Sequence, residues 1–313
     1  MNPDARIHVS LAHLRSLQGA AQGLSFLPRQ PSASVLNGRH ASRLRGRGLN
    51  FEEMRDYLPG DDIRSIDWKA TARTGRPHVR VFTEERDRPA LLVVDQRMSM
   101  FFGSQLNMKS VTAAEAAAIA TFRILDAGDR VGGIVFDNDS HVELVPKRSR
   151  RTAYALLEAI AEKNAGLHAD RSARPAPGEL NAVLNSVARI AHHDHLVFVF
   201  SDFDGIDAIT QRHLSGIATH NDVVLFLVYD PISERIEPGE RAVIGDSHMQ
   251  AEIDLGSSSI REAVNDFTRQ RLETIYRWQT EINLSVLPLS AGEETLPQIR
   301  RLMGGLAPRR SVR

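Results

Sequence analysis

The chain has 313 residues, 42% of them hydrophobic, with 39 Lys plus Arg balancing 39 Asp plus Glu, and no cysteine. That length supports one large α/β domain with an appended unit and a well-buried core. The balanced charge leaves no bulk field for nucleic acid or an anionic membrane, so a charge-driven partner must meet a local patch. The lack of cysteine excludes a disulfide framework, cysteine catalysis and thiolate zinc sites. No apolar run approaches the roughly 18 residues of a membrane span, the N-terminus lacks a signal-peptide core, and a cytoplasmic location is expected.

Residues 1–45 read as a short amphipathic helix that docks on the body, with Ile7, Leu11, Leu14 and Leu17 at helical spacing, then a linker punctuated by Gly19, Gly23, Pro28 and Pro31. Segment 46–88 alternates acids and arginines too closely for a single-sign patch. Pro59-Gly60 suits the two central positions of a type II turn that presents Asp61 and Asp62 at its exit. Most of these charges are expected to form surface ion pairs of small worth around Tyr57 and Trp68. Arg55, Asp61, Asp62, Arg64, Asp67, Trp68 and Lys69 are the candidates for a partner surface, because Arg, Tyr and Trp anchor interfaces disproportionately.

The body spans 89–305. Ala90 to Asp95 is an unbroken apolar run ending in a carboxylate, the pattern of a buried parallel strand. A helix is predicted from Ser104 to Asp126, with Met108, Val111, Ile119, Phe122 and Leu125 on one face, alanines in the close contacts and Gly128 as its stop. Arg130–Phe136 and His141–Val145 read as strands joined by a tight turn over Asp137–Ser140, which places an antiparallel strand at the sheet edge. Helices follow at 151–163 and 179–191 around a Pro-containing loop at 171–178, and the strand from His195 to Ser201 then stops at Asp202. Beyond it come a helix at 208–219, a strand at 223–228, a hairpin at 241–254 turning at Gly245-Asp246, a helix at 257–281, a strand at 283–288, a helix at 296–303 and a loose tail at 306–313.

Strands alternating with helices predict a doubly wound, mostly parallel sheet with helices on both faces, and a reversal of strand order opens a crevice at the carboxyl ends. If the strands ending at Asp95 and Asp202 are neighbours, the two acids face one another across it.

The run from Gly48 to Arg73, GLNFEEMRDYLPGDDIRSIDWKATAR, followed by Arg80-Val-Phe-Thr-Glu-Glu-Arg86 and the Asp95 strand, resembles the DUF58 family of bacterial proteins over roughly residues 40–290. The resemblance implies a von Willebrand factor A-like α/β domain carrying the DUF58 signature as an N-terminal extension. It also implies frequent encoding beside a MoxR-type AAA+ ATPase, in a family whose biochemical role is poorly defined. In the implied strand order, the strands ending at Asp95 and Asp202 flank the reversal.

The metal-ion-dependent adhesion site of such domains uses Asp-x-Ser-x-Ser, a distant Thr and a later Asp. Here Asp95, Ser99 and Asp202 match, Arg97 takes the place of the first serine, the stretch at 176–180 offers no Thr, and Asp204 stands as an outer acid. Two arrangements stay open. Asp95, Ser99 and Asp202 hold Mg²⁺ weakly with several waters, or the Arg97 guanidinium lies between the acids, neutralises them and repels a metal.

Other motifs carry less. His192, His193 and His195 precede their strand and fit a solvated helix end better than a zinc site. Lys147, Arg148, Arg150 and Arg151 form a basic cluster without aromatic platforms, which fits a solvated face. No phosphate-binding loop is present, Ser201 lacks a nucleophile-elbow context, and Met98, Met100, Phe101 and Phe102 read as packing residues.

The expected function is a non-enzymatic protein-binding adaptor that works with a MoxR-type AAA+ ATPase in assembly or activation of a client complex. Asp95, Arg97, Ser99 and Asp202 would set the loop shape and charge, and the Arg55–Lys69 residues would supply a second contact. The alternative is an Mg²⁺- or Mn²⁺-dependent phosphoester hydrolase with Asp95, Asp202 and Asp204 as ligands, which lacks a recognisable base or nucleophile. A purely structural subunit is the third reading.

Overall fold

A computed structural model describes residues 3–21, 49–58, 63–84, 88–169, 178–231, 241–246, 249–254, 258–282 and 284–304. The chain divides into two compact units, Arg29–Asp87 and the remainder.

The smaller unit contains an antiparallel pair, β1 (Leu49–Asp56) and β2 (His78–Glu84), with a register shift between Phe51 and Glu53, and a two-turn helix α2 (Trp68–Thr74) between them. Asp67 caps α2, its Oδ1 accepting from the Lys69 and Ala70 amides at 2.9 and 3.0 Å. Gly75, at φ 74°, closes the helix in the left-handed conformation that only glycine adopts cheaply.

The larger unit is built on a six-stranded sheet with order β10-β7-β6-β3-β4-β5. Its strands are β3 (Ala90–Asp95), β4 (Val131–Phe136), β5 (His141–Lys147), β6 (Leu196–Ser201), β7 (Asp222–Tyr229) and β10 (Ser285–Ser290). All neighbours run parallel except β4 and β5, which form the edge hairpin the sequence predicts.

Both faces of the sheet are covered, which explains strands that read as continuous apolar runs. Leu92, Val94, Phe198, Phe200 and Phe226 pack toward the helices α3 (Lys109–Asp126), α4 (Arg150–Ala165) and α8 (Thr295–Gly304). Leu91, Val93, Val197, Val199 and Leu225 pack toward α5 (Glu179–Ile190), α6 (Ala208–Ala218) and α7 (Ser258–Glu281). A separate hairpin pairs β8 (Arg241–Asp246) with β9 (Met249–Asp254). Gly245 and Asp246 are still paired there, to Gln250 and Met249, so the predicted turn does not fall at the Gly-Asp step.

α3 departs from expectation in two ways. It begins at Lys109 and not at Ser104, because the Ser104 amide donates to Asp230 at 2.8 Å and the Asn107 amide to the Ala291 carbonyl at 2.9 Å, which holds 104–108 as a fixed loop. Nor is it one-sided: every residue from Ser110 to Phe122 is buried, six alanines among them, so the helix runs through the interior. Gly128, at φ 85°, ends it as predicted.

The N-terminal segment is part of this unit. Helix α1 (Leu11–Ser16) places Leu14 in the core with Val9 and Ala21. The Val9 amide donates to Asn164 Oδ1 at 2.8 Å, Asn164 Nδ2 donates to Gln96 Oε1 at 2.9 Å, and Gln96 Nε2 donates to the Ser110 carbonyl at 3.0 Å. His13 Nε2 lies 2.6 Å from Glu115 Oε1, and Glu115 Oε2 accepts from Thr295 Oγ1 at 2.5 Å. The hydrogen bond and the negative charge of Glu115 raise the His13 pKa above its usual value against the opposing effect of burial, with Glu294 adding to the rise.

Two glycines let β4 approach its neighbours closely. A Cβ on Gly133 would stand 2.5 Å from the Leu92 carbonyl oxygen, and one on Gly132 would press into the Leu144 carbonyl. Gly133→Ala is expected to cost about 2 kcal/mol, since the obstacle is backbone and cannot swing away. A lower urea midpoint at unchanged slope would register it; an unchanged midpoint would mean that β4 shifts freely.

Candidate functional site

β3 and β6 are adjacent and parallel, with Ala90 opposite Leu196 and Val94 opposite Phe200. β4 lies on one side of β3 and β6 on the other, so the chain reverses direction across the sheet between β3 and β6. At such a reversal the following loops turn apart and leave a crevice at the carboxyl ends. Asp95 closes β3 and Asp202 follows β6, which brings both acids to that margin.

The floor of the crevice is an ion pair. The Asp95 side chain is 0% exposed and that of Arg97 4%, with Arg97 Nη2 donating to Asp95 Oδ2 at 2.7 Å and Nε to Oδ1 at 3.0 Å. Asp95 Oδ1 also accepts from the Arg97 amide at 2.9 Å, and Oδ2 accepts from Ser201 Oγ at 2.6 Å. A guanidinium matches a carboxylate in this two-point manner, whereas an ammonium would not. Arg97 Nη1 reaches the Asp204 carbonyl at 3.2 Å, and the guanidinium carbon lies 5.5 Å from the centre of the Phe136 ring.

The next layer is Asp202 with Lys109, their side chains 5% and 13% exposed and Nζ to Oδ2 at 2.7 Å. Asp202 Oδ1 accepts from Ser99 Oγ at 3.3 Å and from the Asp204 amide at 3.0 Å, and Arg97 Nη2 stands 4.0 Å from it. At the rim, Arg271 of α7 pairs with Asp204 at 2.9 Å and donates to the Asp202 carbonyl at 3.4 Å. Three acids thus meet three cations in a column running from interior to surface.

The column tunes its members. Burial alone would push the Asp202 carboxyl up, but Lys109, Arg97 and Arg271 together hold it well below the usual carboxylate range. Burial would likewise lower the Arg97 pKa, and Asp95 with its neighbours Asp202 and Asp204 outweighs it, so the guanidinium stays charged.

The loop after β3 is fixed along its length. The Met98 amide donates to Asn138 Oδ1 at 2.7 Å, the Asp202 amide contacts Met100 Sδ at 3.2 Å, and Met100 is fully buried. Phe203, buried at φ 54°, turns the opposite loop through the left-handed region, its amide donating to Ser201 Oγ at 2.8 Å. A bulky residue there is strained and persists because its surroundings dictate the turn. Phe102, on the loop after β3, is 36% exposed, whereas Met100 is buried.

Asp95, Arg97, Ser99, Asp202 and Asp204 are therefore brought together as the sequence suggests. Lys109, Arg271 and Ser201 belong with them and were missed. Lys109 carried no local signal, because the sequence starts this helix at Ser104 and only the structure makes Lys109 its first residue. Nothing local marks Arg271, in the middle of a 24-residue helix.

The second group of candidates lies in the smaller unit. Trp68 is 66% exposed and Lys69 and Arg64 are exposed, whereas Asp67 is spent as the α2 cap. Arg55 lies on β1; Asp61, Asp62 and the Pro59-Gly60 turn fall outside the described residues. His192, His193 and His195 sit at the amino end of β6, opposite the crevice, with His195 held below its usual pKa chiefly by burial.

Among the described residues, no three His, Asp or Glu side chains converge as a metal-ligand set. The donors of the crevice do not fit a hard divalent cation, because every oxygen of Asp95 and Asp202 already accepts from a cation, a hydroxyl or an amide. Nor is any helix among those residues long and apolar enough to cross a membrane.

Comparison with known proteins places this arrangement in context. Residues 53–274 match a family described as a protein of unknown function, DUF58. Uncharacterised proteins of Mycobacterium tuberculosis and Mycobacterium bovis are 31% identical over 218 residues, covering 69% of this chain and 66% of theirs.

Proposed function

The chain belongs to the DUF58 family, and from that premise we propose that it is a non-enzymatic, cytoplasmic protein-binding module of von Willebrand factor A-like type. The loops around the Asp95–Asp202 crevice, a degenerate form of the metal-ion-dependent adhesion site, meet the partner. A MoxR-type AAA+ ATPase is the companion that the family resemblance points to, in a system that assembles or activates a client complex. The observation that carries this reading is the complete internal pairing of the crevice acids. A phosphoester hydrolase would need Asp95, Asp202 or Asp204 free to ligate a cation or take a proton, and each is instead bonded to a cation of the same chain. What the crevice offers a partner is a rigid loop surface of fixed shape, which lowers the entropic cost of docking. Trp68, with Arg64 and Lys69, supplies a second contact on the smaller unit.

Calorimetric titration with a purified MoxR-type ATPase from the same genome tests the proposal. Phe102→Ala, on the loop after β3, and Asp204→Ala, at the rim, are each expected to weaken binding about tenfold, the effect of losing roughly 1.4 kcal/mol. Wild-type affinity in both variants would remove the crevice from the interface, and no binding at all would remove this ATPase as partner.

A further inference from the structure

We infer that Arg97 and Lys109 together take the place of a divalent cation in the crevice, so that its shape is set permanently by the chain's own charges and does not depend on metal. This holds whichever partner the loops meet.

The charges balance in the manner a dication would provide. Asp95 and Asp202 contribute two negative charges, and two single positive charges answer them, one on each acid. Position 97 is where the Asp-x-Ser-x-Ser pattern would place a hydroxyl ligand, and the arginine there turns back to cover both oxygens of Asp95, Nε on Oδ1 and Nη2 on Oδ2. Lys109 reaches Asp202 Oδ2 from the first residue of α3. Ser99, the hydroxyl that remains, spends its proton on Asp202 Oδ1.

A divalent ion would have to displace these groups. Mg²⁺ keeps several waters when bound by one or two carboxylates, but the Asp95, Arg97 and Asp202 side chains are between 0% and 5% exposed, and both carboxylates are already paired with cations. An incoming dication would also stand within a few ångströms of two fixed cations, and at that separation the repulsion outweighs what two already-paired carboxylates return. Arg97 cannot relieve it by losing a proton. The paired state therefore persists at any ordinary metal concentration, and the loop from Gln96 to Met108 is preorganised without it.

Removing both cations should uncover the site. In the Arg97→Ser, Lys109→Met variant the crevice regains a hydroxyl at 97 and two unpaired carboxylates, a donor set that suits Mn²⁺ or Mg²⁺. Mn²⁺ uptake is read by paramagnetic resonance and folding by thermal melts, each with chelator and with added metal. The wild type is expected to take up no Mn²⁺ in the crevice and to melt identically in both conditions. The double variant is expected to bind one Mn²⁺ per chain and to melt higher with metal than with chelator, both effects disappearing when Asp202→Asn is added. Arg97→Lys, which keeps the charge, should remain indifferent to metal. If the double variant is unfolded in chelator, refolding with Mn²⁺ decides: recovery supports the assignment, and failure to recover overturns it. Stoichiometric Mn²⁺ binding by the wild type that Asp202→Asn abolishes would overturn it, as would a folded double variant that takes up none.

Discussion

Asp95→Ala is expected to lower the unfolding free energy by about 3–5 kcal/mol, the cost of breaking a buried ion pair and leaving one charge unpaired. The size follows from position. Arg97 is 4% exposed and spends its donors on Asp95 and the Asp204 carbonyl, so removal of the carboxylate strands a guanidinium that can neither reach water nor deprotonate. Ser201 Oγ and the Arg97 amide lose their acceptor as well. The pair itself is worth much less than this figure, because desolvating both ions offsets most of their attraction. Asp95→Asn with Arg97→Met, which removes both charges and preserves volume, should therefore recover most of the loss. Chemical denaturation of the two singles and the double gives the coupling. A cost below about 1 kcal/mol for Asp95→Ala, the range of exposed pairs, would mean that Arg97 has a route to solvent.

Glu115→Ala is expected to cost about 3 kcal/mol, since it opens a cavity in an all-buried stretch of α3 and leaves Thr295 and His13 without their partner. It should also remove a pH dependence. The His13 pKa is raised in the folded chain by the Glu115 hydrogen bond and charge and further by Glu294, against burial. Its stabilisation is thus complete below the ordinary histidine value of about 6.5 and is lost as pH rises through the higher folded-state value. Arg6 and Glu294, 4.0 Å apart and both partly exposed, form an ion pair. Asp202 has the opposite sign: its depressed carboxyl stabilises above the usual carboxylate range and is lost only as pH falls through the lower folded-state value. Amide exchange over 9–21 should accelerate as pH rises past neutrality beyond the intrinsic rate increase, and the excess should vanish in Glu115→Ala and His13→Ala. An excess that survives His13→Ala would assign the loosening to another group.

Much of the sheet was legible because buried parallel strands carry their own signature. Ala90–Asp95, Leu196–Ser201 and Asp222–Tyr229 are apolar on both faces, and both faces are covered. The β4–β5 hairpin was legible from its turn. The start of α3 was not, since Ser104 is a good helix-capping residue and leaves the helix only because Asp230, 126 residues further on, takes its amide. The alanine face of α3 carries no signal that distinguishes a helix packed on one side from one enclosed on all sides.

The candidate site divides in the same way. The sequence by itself determined that two strands end in acids, that an arginine follows the first of them at position 97, and that helices separate the strands. These are local properties of residue type and spacing. Only the tertiary structure decided that the guanidinium turns inward onto Asp95, that Lys109 and Arg271 complete the column from helices 93 and 69 residues distant from Asp202, and that the N-terminal segment is held through Asn164 and Glu115. Charge pairing depends on distance in space, and a charged side chain reads the same in sequence whether it ends in water or against a buried carboxylate.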